Sequence, residues 1–353
     1  LTPAGAGVTD RPDFSTLQGI GMADQEFDVL GLGNAIVDVI ARAEDDFLAR
    51  EKMSKGSMSL IDEARTLSLY EAMGSGTMIS GGSAANTIVG AASLGVKAAF
   101  IGKVKSDDVG HVFTHDIRAT GVHFVTPPAK TGPSTARCLV LVTPDGERTM
   151  NTYLGACQNL TPDDVDEALV SASKITYLEG YLWDPPAAKQ AFVKAAAIAH
   201  KANRQVALTL SDAFCVDRYR DEFLNLIREK TVDIVFANEH ELKALYQTAD
   251  FTTAVNALRN EGILGVVTRS ENGSIVVTRE ETIAAQAFPI EKLVDTTGAG
   301  DLFAAGFLAG LTRDADYHTC ARLGALAAAE VIQHYGARPE ANLLDLAREN
   351  GLI

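Results

Sequence analysis

The chain has 353 residues, 46% of them hydrophobic and 22% charged, with a formal net charge of -15 at pH 7. That length suits one large α/β domain or two smaller ones. The acidic balance argues against nucleic acid or an anionic membrane surface as the main partner, yet leaves room for a nucleotide, which needs only local positive potential.

Residues 1–21 are rich in Gly, Pro and Thr and lack the apolar core of a signal peptide, so they read as a tag remnant or a disordered leader ahead of a folded domain over 22–353. Short runs rich in β-branched and aromatic residues follow at 27–32, 98–101, 175–178, 206–210, 233–236 and 265–268. Longer amphipathic stretches lie between most of them, at 186–202, 219–229 and 239–247. That alternation predicts a mostly parallel sheet covered by helices on both faces. Gly31-Leu32-Gly33 begins like a dinucleotide fingerprint, but position 36 is Ile where a third glycine is needed, and no GxxxxGK[ST] string occurs. Two segments break the rhythm. Residues 37–61 hold two short apolar runs around a charged insert. Residues 137–153 read as a hairpin turning at Pro144-Asp145-Gly146. Together they predict a small accessory β-sheet, either a lid over a site or a pair of edge extensions.

Four scattered cysteines, Cys138, Cys157, Cys215 and Cys320, show no metal spacing and point to reduced thiols in a cytoplasmic protein. No apolar run reaches transmembrane length.

The string Asp295-Thr296-Thr297-Gly298-Ala299-Gly300-Asp301 leads into an apolar, small-residue helix over 302–311. Glycines at 298 and 300 permit close backbone approach, and the helix that follows presents free N–H groups and its positive dipole end. An anion has a ready site there, and a transferring phosphoryl group would suit it. Asp301 starts the same helix. The dipole is expected to keep it ionised and able to take a proton from a hydroxyl. The ordinary alternative is a Gly-rich turn with an acidic first helical turn.

This string resembles the C-terminal signature of the ribokinase-like (PfkB) carbohydrate and nucleoside kinases. The N-terminal signature is matched by Gly81-Gly82-Ser83-Ala84-Ala85-Asn86, then Leu94-Gly95, Ile101-Gly102 and Asp107-Asp108-x-Gly110. An Asn-x-x-Glu motif is matched by Asn238-Glu239-His240-Glu241. The matches run in family order over nearly the whole chain. One departure is Lys105, where many members carry Gly. The resemblance implies a three-layer α/β/α sandwich with a small β-sheet lid, ATP and Mg²⁺ as co-substrate and metal, a small-molecule alcohol as acceptor, no nucleic-acid or membrane partner, and a monomer or homodimer.

Residue by residue, the resemblance implies that Asp301 is the general base and that the Gly298, Ala299 and Gly300 amides form an anion hole. Arg148 would be a lid arginine reaching the phosphate. Asp38, Gly82 and Asn86 would bind ribose-type hydroxyls, with the glycine pair as a hinge. Asn238 and Glu241 would hold Mg²⁺ largely through water, although a helix N-cap explains them equally well. Thr268, Arg269, Gly273, Gly336 and Ala337 fall in the nucleotide site, while His334 reads as structural. Asp295 and Thr297 match a monovalent-cation (K⁺) site of some members. Residues 208–214 resemble the corresponding stretch of adenosine kinases, which suggests the 5′-hydroxyl of adenosine as acceptor. The alternatives are a ribokinase- or fructokinase-like sugar kinase, and a non-catalytic protein of the same fold. Leu139, Leu141, Leu182 and Trp183 are candidates for a base slot, each also explained by core packing.

Overall fold

The computed structural model describes residues 27–353, so the leader expected over 1–21 lies outside the described residues. From strand β1 (Phe27–Leu32) the chain passes to β2 (Ile36–Arg42), β3 (Met58–Leu60) and β4 (Thr77–Gly81), then returns to β5 (Ala98–Ile101) and β6 (His123–Phe124). A second excursion forms β7 (Ala136–Val142) and β8 (Arg148–Tyr153). After it come β9 (Ser173–Glu179), β10 (Gln205–Thr209), β11 (Ile234–Asn238), β12 (Leu264–Thr268), β13 (Ser274–Val277) and β14 (Thr282–Ala285).

Two sheets result. The large one has nine strands in the order β14-β13-β12-β11-β10-β9-β1-β5-β6, the small one five in the order β3-β8-β7-β2-β4. In the large sheet every pairing from β12 to β6 is parallel, and only β12–β13 and β13–β14 are antiparallel. All six expected strands of the α/β rhythm lie in it. Side chains alternate between its faces as the strand period demands. Val29, Tyr177, Ala207 and Phe236 enter one buried cluster, while Leu30, Leu178, Leu208 and Val235 enter the other. Each cluster is closed by helices, which makes three layers.

The small sheet corrects one detail and adds another. The charged insert within 37–61 contains a short helix, Asp45–Arg50, because Asp45 and Asp46 favour a first helical turn. The strand β4 was not anticipated. Its sequence, TMISG, is too short and too polar to show alternation. The hairpin turn is as expected: the Gly146 amide donates to the Thr143 carbonyl at 2.8 Å, and Gly146 has φ +88°.

The helix Ala299–Leu311 lies against the helix Tyr317–Val331 with almost no space between backbones. A Cβ at Gly306 would sit 2.5 Å from the Leu323 carbonyl carbon and 2.6 Å from the Gly324 nitrogen. Backbone cannot give way as a side chain can, so overpacking there strains the pair that carries the Gly298 turn. Gly306→Ala is expected to lower stability by roughly 1–3 kcal/mol in urea-induced unfolding. An unchanged midpoint would show that the two helices can separate without cost.

Candidate active site

The carboxyl ends of the parallel strands gather the polar groups, as expected where strand order reverses about β1. Asp301 lies in the first turn of the Ala299–Leu311 helix, whose N-cap is Gly298 at φ +80°. Its two oxygens are held from a second helix start: Ser83 Oγ donates to Oδ1 at 2.6 Å and Asn86 Nδ2 to Oδ2 at 3.0 Å. The dipole and these bonds favour the charged form, but burial outweighs them, and the Asp301 carboxyl is pushed up to about 6. The expectation that the dipole alone sets its charge is corrected to that extent, and the group is still mainly ionised at neutral pH.

The glycines around it have separate reasons. A Cβ at Gly81 would overlap the Asp38 carboxylate, and one at Gly82, with φ +103°, would overlap the Asn34 carbonyl. A Cβ at Gly298 would lie 2.6 Å from Ala337 Cβ. At Gly300 it would meet no protein atom within 4 Å. The protein's own packing therefore does not demand glycine at 300, which leaves open space beside the helix start. The Asp107-Asp108-x-Gly110 part of the signature is a helix cap: Asp107 Oδ1 accepts from the Gly110 amide at 2.8 Å.

Asp38, on β2, is also pushed up to about 6, by burial first and by the Asp301 charge, with Arg338 and Arg148 opposing. Asn86 is only 6% exposed, and its Oδ1 is buried with no partner among the described residues. It thus supports Asp301 directly. Arg148 Nη1 pairs with Asp295 Oδ2 at 3.0 Å, both side chains 8% exposed, and its guanidinium lies over the Tyr335 ring. Its Nε and Nη2 have no partner among the described residues. Asp295 also accepts from the Thr297 amide and hydroxyl and from the Gly336 amide. The structure therefore brings together Arg148, Asp295, Thr297 and Gly336, next to the Gly298 turn. Ala337 packs on that turn from the other side.

Asn238 and Glu241 form a capping box at the end of β11: each Glu241 oxygen accepts one bond from Asn238, and the Asn238 side chain accepts from the Glu241 amide. The helix-cap reading is thus realised. Burial pushes the Glu241 carboxyl up to about 7. Each of its oxygens keeps a further lone pair, which suits a hydrated ion held through water rather than direct ligation. Among the described residues no group of three or more His, Cys, Asp or Glu could cage a metal by itself.

Thr268 and Gly273 flank the turn between β12 and β13, where Gly273 has φ +78°. Arg269 is tied to Glu239 at 3.0 Å and to the Phe251 ring. His334 lies 3.3 Å from Glu330, in keeping with a structural role. Leu139, Leu141, Leu182 and Trp183 are all buried, and the Trp183 indole donates to Glu222. They are core, not a base slot. The exposed aromatics near the strand ends are Tyr181, 39% exposed, and Phe214, 80% exposed.

Sequence reasoning missed three groups. Ser83 was read only as part of a signature. Glu179, 1% exposed at the end of β9, accepts from the Asn34 amide and carboxamide and the Ala84 amide, tying the entry to the small sheet after β1 to the exit from it after β4. Burial pushes its carboxyl up to about 7. Arg338 touches Ser80 and Ala85 and was signalled only by its place after Gly336-Ala337.

Known proteins resemble this chain over most of its length. The model of the pfkB family carbohydrate kinases matches residues 58–342. The adenosine kinase of Saccharomyces cerevisiae is 28% identical over 327 residues, covering 86% of this chain and 94% of that protein. The crystal structure of adenosine kinase from Sinorhizobium meliloti superposes with a TM-score of 0.86 at 54% identity, covering 92% of this chain and 99% of that one. That of a probable sugar kinase from Rhizobium etli gives 0.87 at 52% identity, covering 93% and 100%. The chain belongs to the pfkB carbohydrate-kinase family and is an ATP-dependent phosphotransferase acting on a hydroxyl group.

Proposed function

We propose that the chain transfers the γ-phosphoryl group of ATP to the 5′-hydroxyl of adenosine, with Asp301 as general base. The observation that carries the base is the clamping of both Asp301 oxygens by Ser83 and Asn86 at the helix start that also presents the Gly300 amide. The likeness to adenosine kinases supports the acceptor. The match to a probable sugar kinase favours the second reading, a ribose- or fructose-type acceptor.

In this reading Asp38 accepts the ribose hydroxyls, with Gly82 and Asn86 beside it, and the acceptor oxygen points at Asp301. The hydroxyl proton passes to the Asp301 carboxylate as the oxygen bonds to the γ-phosphorus and the bridging P–O bond breaks, its electron pair leaving with ADP. The Gly298 and Gly300 amides and the free donors of Arg148 meet the charge on the transferring oxygens, whereas the Ala299 amide, expected to share in the anion hole, donates to the Thr296 carbonyl at 3.2 Å and closes the turn instead. Thr268, Gly273, Gly336 and Ala337 hold the nucleotide. Asn238 and Glu241 would hold Mg²⁺ through water, and the ion would supply neutralising charge. A K⁺ ion at Asp295 and Thr297 would share Asp295 with Arg148, so its contribution is expected to be small. The small sheet serves as the lid that excludes water.

Three outcomes are expected. In a panel of adenosine, guanosine, inosine, ribose and fructose with ATP-Mg²⁺, adenosine should show the highest kcat/KM, and Asp38→Ala should lose acceptor binding as well as turnover. Ribose or fructose ahead of every nucleoside would overturn the acceptor. Asp301→Asn keeps the side chain's shape but cannot take a proton, so kcat should fall by about 10²–10⁴-fold while ATP affinity by calorimetry changes little. Near-normal kcat with chemistry rate-limiting would remove Asp301 from the role of base. A base must be ionised, and Asp301 loses its charge as pH falls through about 6. The rate should therefore be full above that value and drop roughly tenfold per pH unit well below it.

A further inference from the structure

Arg338 belongs to none of the recognised motifs, yet three parts of the site meet on it. Its Nε and Nη2 donate to the Ser80 carbonyl at 2.9 and 2.5 Å, Nη2 also to Ser80 Oγ at 3.0 Å, and Nη1 to the Ala85 carbonyl at 3.0 Å. Ser80 is in β4 of the small sheet, and Ala85 is in the first turn of the helix Ser83–Ser93. Between them is Gly82, with φ +103°. One guanidinium thus clasps both sides of the crossing between the sheets. Ser80 is held from the opposite side as well, since its amide donates to Asp116 Oδ2 at 2.7 Å. The residues just before Arg338 bind the phosphate turn: Ala337 packs on Gly298, and the Gly336 amide donates to Asp295.

The charge of Arg338 reaches both site carboxylates. On Asp38 it is the largest influence opposing burial, ahead of Arg148. On Asp301 it acts beside the Ser83 and Asn86 hydrogen bonds. The other titratable groups in the Asp301 field are acids: Asp38, Tyr177, Glu179 and Tyr181. Burial pulls the Arg338 guanidinium down to about 10, so it stays charged at neutral pH, with Asp116, Asp38 and Asp301 supporting it. A nearby cation favours the charged form of a buried carboxylate against the burial that opposes it.

We infer that Arg338 is a positioning residue for phosphoryl transfer: its guanidinium fixes β4 and the Ser83 helix on either side of Gly82 and so sets a positive charge behind the helix start that clamps Asp301. The inference rests on the reading of Asp301 as base. The test compares kcat against pH for the wild-type chain, R338M and R338K, using ATP-Mg²⁺ and the acceptor preferred in the panel above, with thermal melts at pH 7. Removing an opposite charge from a carboxylate raises its pKa by about one unit or more. R338M should therefore move the acid limb up by about one unit, giving roughly fivefold greater loss at pH 6 than at pH 8. R338K keeps the charge and should leave the limb where it is. A loss equal at every pH, with the limb unmoved in R338M, would reduce Arg338 to a structural clasp and overturn the inference. If R338M does not fold, the neutral but hydrogen-bonding R338Q takes its place: a raised limb supports the inference, and an unmoved limb overturns it. Asp301→Asn in parallel separates the two levels. Near-normal kcat there removes the base and this inference with it, whereas an inactive Asp301→Asn beside an unmoved R338M limb removes this inference alone.

Discussion

The site depends on one carboxylate held at the starts of two helices. Asp301 is in the first turn of one, and its oxygens accept from Ser83 and Asn86 in the first turn of the other, 218 and 215 residues away in the chain. Both helix starts offer positive dipole ends and unsatisfied amides, so a negative charge between them is stabilised from two directions. Burial acts the other way and is the larger effect, which leaves Asp301 at about 6. A carboxylate poised there is a stronger base than an exposed one and is still ionised at neutral pH.

The convergence is possible because the two helices touch where one of them has no side chain. A Cβ at Gly90 would lie 2.5 Å from Leu302 Cδ1 and 2.9 Å from Ala305 Cβ. Gly81 leaves room for the Asp38 carboxylate, and Gly82 lets the chain turn past the Asn34 carbonyl into the Ser83 helix. Glu179 then ties Asn34 and Ala84 together beneath that turn. A buried carboxylate with three N–H partners is costly to desolvate but rigid once satisfied, and it holds the crossings after β1 and after β4 in one geometry.

Charge balance is the second constraint. Asp38, Asp301, Glu179 and Glu241 all have carboxyls raised by burial, in a chain that is acidic overall. Two arginines answer the charge of Asp38, and one of them that of Asp301 as well: Arg148 at the start of β8, and Arg338, beyond the last long helix, which reaches both. Neither side chain is free to wander. Arg148 is held by Asp295 and the Tyr335 ring, and Arg338 by the Ser80 and Ala85 carbonyls. Residues 295–301 and 335–338 therefore connect the Arg148–Asp295 pair with Asp301 and the start of the Ser83 helix.

The sequence by itself determined the layered α/β architecture, because strand and helix periods are local: all six expected strands fall in the large sheet. It also determined the Gly298–Asp301 turn, where chemistry and helix start coincide in one compact string. It marked Asn238 and Glu241 without deciding between cap and ligand, since a capping box and a hydrated ion ask for the same two residue types. Only the tertiary structure decided that Ser83 and Asn86 clamp Asp301, that Arg148 meets Asp295, and that Arg338 bridges Ser80 and Ala85. Such pairings join residues more than a hundred positions apart, and no local pattern encodes the partner of an arginine or a serine. The short strand β4 escaped for a related reason. Its five residues gain their structure from pairing with β2 rather than from any alternation of their own.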